Sequence, residues 1–312
     1  MSGAVKSVIG FKSSSGTCNI TGYIYKNEAV PAKAILQISH GMCEYIERYE
    51  EFALFMADNG YIVCGNDHLG HGKSSDSEGG IDGFFADKDG RDYLIQDLHH
   101  MNSLVSHQFG GLPLIMLGHS MGSFMARLYA VTYPETIKAL ILSGTGGPNP
   151  AAGVGIALTK LIGKIKGTQY RSQFINKLAF GAYLKQISSP KTIYDWISSD
   201  EKIVQAYVKD KKCTFVFTVS AFNDMMRTLR DVNKREWAEK LDKAMPIYLF
   251  SGDKDPVGDY GNGVSKVKQF ITDAGIKDVT MKLYENGRHE MLNETNRLTV
   301  YNDVLNWCNA HL

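Results

Sequence analysis

Apolar and polar positions alternate between two periods along the first half of the chain. Residues 18–25 (CNITGYIY) and 34–39 (AILQIS) read as strands, and YIVCGND at 61–67 is a short apolar, β-branched run that predicts a buried strand. Between them, 44–59 (EYIERYEEFALFMADN) has the spacing of an amphipathic helix, closed by Gly60 in the helix-stop position. A second helix is expected over 91–109, with Leu94, Ile95, Leu98, Met101, Leu104 and Val105 on one stripe. LPLIMLGHS at 112–120 predicts a strand that stops at a glycine, 121–133 a helix, and IKALILSG at 137–144 a further strand. The same rhythm returns at 246–251 and 279–285, followed by a helix over about 293–311. Strands alternating with helices imply right-handed β-α-β units, a mostly parallel sheet and helices on both faces.

Residues 146–235 break this rhythm. A turn-rich GGPNPAAG opens the segment, and helical patterns follow (IALTKLIGKIK, RSQFINKLAFGAYLKQI, DEKIVQAYVKD, AFNDMMRTLRD) without a convincing strand. The expected organisation is a core of 1–145 and 236–312 carrying a helical cap insertion, 146–235. Between 148 and 230 there are 13 Lys/Arg against 5 Asp/Glu, although the whole chain carries a formal charge of only +1. That local excess suits transient contact with an anionic membrane surface, or simply a solvated helix face. The global balance gives no reason to expect nucleic acid.

With 312 residues, 44% hydrophobic and 21% charged, the chain can bury one large core and is not of disordered type. No run approaches the ~18 apolar residues of a membrane span, and the first residues lack a signal-peptide core, so a cytoplasmic protein is expected. Five scattered cysteines (Cys18, Cys43, Cys64, Cys213, Cys308) contain no CxxC pair, which points to neither zinc nor disulfides. No metal or organic cofactor is called for.

The chemistry concentrates at strand ends. Gly118-His119-Ser120-Met121-Gly122 is a G-x-S-x-G turn between a strand and a helix, the context in which the serine hydroxyl projects above the sheet edge. The amide of Met121 then points where an oxyanion would form. A serine nucleophile needs a base, and the base an orienting acid, in the order Ser, Asp/Glu, His. After the insertion, YLFSGDKDPVGDY offers Asp253 and Asp255, with Asp259 less well placed. His289 follows the last strand in a polar loop. His99, His100, His107 and His311 lie on helices or at their ends, or at the terminus, and follow no late strand. Ser39-His40-Gly41-Met42-Cys43-Glu44 can bring a second amide, that of Met42, to the same place. His40, Glu44 and Phe222 are candidate substrate contacts. Cys43 has no elbow and is passed over as nucleophile. In the run from Asp67 to Ser74, GKS lacks the glycine that a phosphate loop needs at 67, and His68 with His71 lacks a third metal ligand, so a structural loop is expected.

The ordered motifs H-G-x-x-E, R-Y, D-H-x-G-H-G-x-S and G-H-S-M-G resemble the monoglyceride lipase and lysophospholipase group, the serine aminopeptidase-type α/β-hydrolases. The likeness covers about 1–145 and 245–312. It implies the α/β-hydrolase fold, with Ser120 as nucleophile, His289 as base, Met42 and Met121 as oxyanion donors, and no cofactor. It also singles out Asp255, because Gly252-Asp253-Lys254-Asp255-Pro256-Val257 fits the family's G-x-x-D-x-hydrophobic pattern. Ser123 stands where a glycine is common. Hydrolysis of monoacylglycerols, lysophospholipids or small acyl esters is the implied activity. A peptidase or amidase, an acyltransferase and a non-catalytic binding protein on the same scaffold are the alternatives. Ile156, Leu158, Leu161, Ile162, Phe174, Phe180 and Phe222 are available to line an acyl pocket in the cap.

Overall fold

The computed structural model describes residues 3–312. The chain opens with the hairpin β1 (Val5–Lys12) and β2 (Asn19–Lys26), followed by β3 (Ala34–Ser39), α1 (Glu50–Asp58) and β4 (Tyr61–Asn66). Next come α2 (Gly90–Gln108), β5 (Leu114–His119), α3 (Met121–Thr132) and β6 (Ala139–Ser143). The segment between β6 and the next strand holds α4 (Ala152–Lys166), α5 (Gln173–Phe180), α6 (Glu201–Lys209), α7 (Val219–Val232) and α8 (Arg235–Glu239). β7 (Ile247–Gly252), α9 (Asn262–Asp273), β8 (Val279–Tyr284) and α10 (Arg297–Ala310) complete the chain.

The sheet order is β1-β2-β4-β3-β5-β6-β7-β8, antiparallel at β1/β2 and β2/β4 and parallel from β4 to β8. Successive residues of each central strand point to opposite faces, so each strand feeds two cores. Ile35, Ile62, Met116, Leu140 and Leu249 meet α2, α3, α7 and α9 on one face. Leu36, Val63, Ile115, Ile141 and Phe250 meet α1 and α10 on the other. Burial on both faces explains why these strands are continuous apolar runs. Parallel strands also bring β3, β5, β7 and β8 to one carboxyl edge, and the loops there build the site.

The structure adjusts several of these expectations. β1 was not anticipated: it is an edge strand with Val5 and Val8 exposed, and only Phe11 buried and Ile9 partly so, too little to mark a buried face in VKSVIGFK. The helix expected at 44–59 is a short 3₁₀ turn, Ile46–Tyr49, running into α1, with Tyr45 still extended. Leu104 lies exposed, away from the buried stripe of α2. Within 171–187 only Gln173–Phe180 is helical. Within the segment after β6, α7 packs on α2 and α3 as well as on α4.

Candidate active site

β5 ends in the turn that carries Ser120, whose backbone sits at φ 52°, ψ −121°. A non-glycine residue there is strained and persists only when its surroundings hold it. Here the neighbours are fixed by close packing. A methyl on Gly122 would run into the carbonyl oxygens of Ser39 and His40, and one on Gly118 into that of Gly122. The Ser120 amide donates to the Ser143 carbonyl at 3.0 Å, which ties the turn to β6. Ser123, where the family commonly has glycine, donates through its hydroxyl to Ser120 O at 2.6 Å and to Thr145 at 2.8 Å. The residue therefore braces the elbow.

The loop after β7 brings Asp255 under His289. His289 Nδ1 lies 3.0 Å from both carboxylate oxygens. Asp255 also accepts from the Ser251 hydroxyl at 2.7 Å and the Val257 amide at 2.9 Å. Burial pushes the Asp255 carboxyl up, but His289 and these donors outweigh it and hold it below the usual range. Burial lowers His289, but the charge and hydrogen bond of Asp255, together with the charges of Glu290 and Glu44, more than reverse that, so the imidazole titrates above its ordinary 6.5. Asp253 instead faces Lys254 at 3.6 Å, and Asp259 opens on the cavity without touching His289.

The loop after β3 lies against the elbow: a methyl on Gly41 would be 3.0 Å from Ser120 Cβ. Among the described residues, no protein acceptor takes the amide of Met42 or Met121. Ser120, His289, Met42 and Met121 all border one cavity of about 820 Å³, with Phe124, Phe180, Met225 and Leu229 supplying apolar wall.

Glu44 borders this cavity too, but its carboxylate is engaged by the Gly41 amide, the Tyr49 hydroxyl at 2.7 Å and Arg48 at 3.0 Å. Burial pushes it up to about 7 against the pull of Arg48. Arg48 also grips Glu290, next to His289, at 2.7 and 2.8 Å. The loop after β3 and the loop carrying His289 are thus joined through one guanidinium. His40 does not face the cavity. Its Nε2 accepts from the His68 amide at 2.8 Å and its ring packs on His68 and His71, which places it as a brace between loops. Phe222 is fully buried against Phe180 and Phe217, behind the cavity wall. Of the apolar cap residues named from sequence, Phe180 lines the cavity, whereas Leu161 and Phe174 are exposed. The loop at 67–74 is built around Asp67, which accepts from the amides of Ile46 and Lys73. Among the described residues no cluster of three or more His, Cys, Asp or Glu is arranged for a metal ion.

Sequence reasoning assigned no role to His119, Arg48, Glu290 or Trp196. His119 lies inside the G-H-S-M-G motif, and its ring sits 4.6 Å from that of His289. Arg48 belongs to the R-Y pair, where a cation on the inner side of a helical pattern was the available signal. Nothing in the sequence pointed to Trp196.

Residues 30–296 match the serine aminopeptidase, S33, family. A monoacylglycerol lipase from Mycolicibacterium smegmatis is 25% identical, covering 90% of this chain and 89% of the relative. The monoglyceride lipase of Homo sapiens is 26% identical over 88% of this chain and 82% of its own length. A solved structure of a thermostable carboxyl esterase from Bacillus coagulans, in complex with glycerol, superposes with a TM-score of 0.92 at 32% identity, covering 98% of this chain and 99% of that one. The chain belongs to the serine aminopeptidase S33 family of α/β-hydrolases.

Proposed function

We propose that this ester hydrolase cleaves monoacylglycerols, lysophospholipids or small acyl esters through a Ser120–His289–Asp255 triad and an acyl-enzyme. The observation that carries the reading is the convergence of a strained serine, a histidine held by a buried carboxylate and two free amides on one largely apolar cavity. His289 takes the proton of Ser120 as its hydroxyl attacks the acyl carbonyl, and Asp255 fixes the tautomer and stabilises the imidazolium. The Met42 and Met121 amides donate to the oxyanion, each for about 3 kcal/mol of transition-state stabilisation. The alkoxide leaves with the proton from His289, and water then repeats the cycle on the acyl group.

Residues 146–235 serve as a cap whose apolar side chains receive the acyl chain. An amine-directed site would need free carboxylates, and two of those bordering the cavity, Glu44 and Glu290, are matched to Arg48. The cap also offers a membrane-facing surface. Val154, Leu161 and Ile165 form an exposed stripe on α4, Phe174 and Leu178 another on α5, and lysines flank both. No helix among the described residues is long and apolar enough to cross a membrane, so any such contact is interfacial.

The test is hydrolysis of p-nitrophenyl esters from acetate to palmitate, with 1-monooleoylglycerol, lysophosphatidylcholine and an aminoacyl anilide alongside, for wild type and Ser120→Ala. Ester turnover lost in the variant is expected. Turnover of the anilide alone moves the reading to a peptidase, and no turnover at all leaves a binding protein.

A further inference from the structure

The base loop is held from a second side, by the insertion. The Glu290 amide donates to Ile197 O at 2.7 Å and the His289 amide to Trp196 O at 3.4 Å. Arg288 donates to the carbonyls of Asp195 and Ser198, the latter at 2.9 Å. In return, the Glu294 carboxylate accepts from the Ser199 amide and hydroxyl at 2.7 and 2.5 Å and from the Arg288 amide at 3.0 Å. Residues 195–199 therefore run as a strap along 288–294. The indole of Trp196 lies 5.1 Å from the His289 ring, tilted by 43°, and borders the cavity.

We infer that Trp196 and the 195–199 strap are positioning elements for His289, so that the insertion sets the geometry of the base as well as the shape of the acyl pocket. The inference rests on His289 being the base. Asp255 fixes one ring nitrogen, and the His119 ring packs 4.6 Å from the imidazole. Trp196 supplies the opposing wall, and the strap's hydrogen bonds fix the backbone that carries the ring. The residue is separated from His289 by more than 90 positions, so whatever displaces this part of the insertion also displaces the base. A misplacement of about 1 Å in a catalytic group can cost about a hundredfold.

The indole also keeps water from the imidazole, and burial of this kind lowers a histidine pKa. The charged and titratable groups around His289 are Asp255 from the loop after β7, His119 from the elbow, Glu290 beside it, and Glu44 with Arg48 from the loop after β3. None of them changes when Trp196 is replaced. Opening this wall therefore raises the His289 pKa, and the base loses its proton only at higher pH.

The experiment uses the full chain and p-nitrophenyl acetate, which is too short to depend on the acyl pocket. Trp196→Ala is expected to lower kcat about tenfold with KM within about twofold, and to move the acid limb of kcat/KM to higher pH. Trp196→Phe should restore most of both. Glu294→Gln, which loosens the strap and leaves the indole in place, should lower kcat several-fold. Wild-type kcat and an unmoved acid limb in Trp196→Ala overturn the inference and reduce Trp196 to a cavity wall. If that variant does not fold, Glu294→Gln decides, and an unchanged kcat overturns the inference. His289→Ala is the separate control: activity retained there removes the base assignment itself, whatever Trp196 does.

Discussion

The sheet core and the insertion both border the same cavity, yet they hold their share of it by different means. The core positions Ser120 through backbone packed so closely that a methyl at Gly118 or Gly122 has no room. Its central strands are buried on both faces. The insertion shares apolar packing with the core through α7 on α2 and α3, and adds polar latches. Arg127 of α3 reaches Gly146 O at 3.2 Å, Val232 O and Asn233 Oδ1 at 3.1 Å, gathering both ends of the segment on one buried guanidinium. Farther along, the 195–199 strap is fastened to the base loop. Beyond these points the insertion leaves Ile165, Phe174 and Ile193 more than 60% exposed. Close packing tolerates one geometry, whereas a latch can open and close. The difference teaches where precision is built and where adjustment is allowed: changes in the core parts should be catastrophic, and changes in the insertion graded.

The largest effect falls on the core. Asp255→Asn should lower kcat about ten-thousandfold, because the amide favours the wrong imidazole tautomer. The pH profile carries the sign. His289 is held above 6.5 by Asp255 together with Glu290 and Glu44, and under the proposed mechanism only its neutral form accepts the serine proton. The acid limb of wild-type kcat/KM should therefore fall above pH 6.5, and in Asp255→Asn it should move down. An acid limb below 6.5 in wild type, or activity within tenfold in the variant, would separate Asp255 from the base.

A smaller effect is expected at the root of the insertion. Arg127 is fully buried and, among the described residues, has no carboxylate partner; its indole neighbour Trp237 lies 4.3 Å away and donates back to Arg127 O at 2.6 Å. Burial lowers the guanidinium pKa to about 9, so it still enters the fold charged at neutral pH. Arg127→Met removes that desolvated cation, but it also strips Val232 O of this donor. A loss of about 1–3 kcal/mol in denaturant unfolding is expected, with kcat on a short ester within a few-fold. Limited proteolysis should cut the insertion sooner. A hundredfold loss of kcat would show that the roots of the insertion carry the same precision as the elbow, and the contrast would fail.

The same contrast decided what could be read from sequence. Ser120 was legible because a glycine-flanked serine between an apolar strand and a helix has few other uses, and the central strands because burial on both faces leaves an apolar run. His289 followed from chain order, whereas Asp255 was separated from Asp253 only by family resemblance. β1 escaped because most of its residues face water, with only Phe11 buried. The misplacements share a cause: residue type does not encode which neighbour a side chain will meet. Phe222 was offered to the cavity as an aromatic on a cap helix, but α7 turns that face inward against Phe217. His40 was offered as a substrate contact, and the loop folds it onto His68. Trp196 had no local signal because its position against His289 exists only once the insertion has crossed back over the sheet edge.

The smallest effect on stability, and the sharpest on the insertion's own proposed role, is expected at its outer face. Ile165 is 70% exposed on the last turn of α4, beside Lys164 and Lys166, and on the same side of the helix as Leu161 and Val154. An exposed apolar side chain gains little from folding, so Ile165→Ser should shift unfolding by no more than about 0.5 kcal/mol. Hydrolysis of soluble p-nitrophenyl acetate should be unchanged, because the residue does not border the cavity. If this face meets lipid, the same substitution removes apolar area from the contact and leaves its charge. Partition onto vesicles of mixed phosphatidylcholine and phosphatidylserine, measured by co-sedimentation, should then fall several-fold, and added salt should weaken wild type and variant alike. Equal partition of the two proteins, or no binding by wild type, would leave the exposed stripe a solvated surface and confine the insertion's adjustable part to the cavity side.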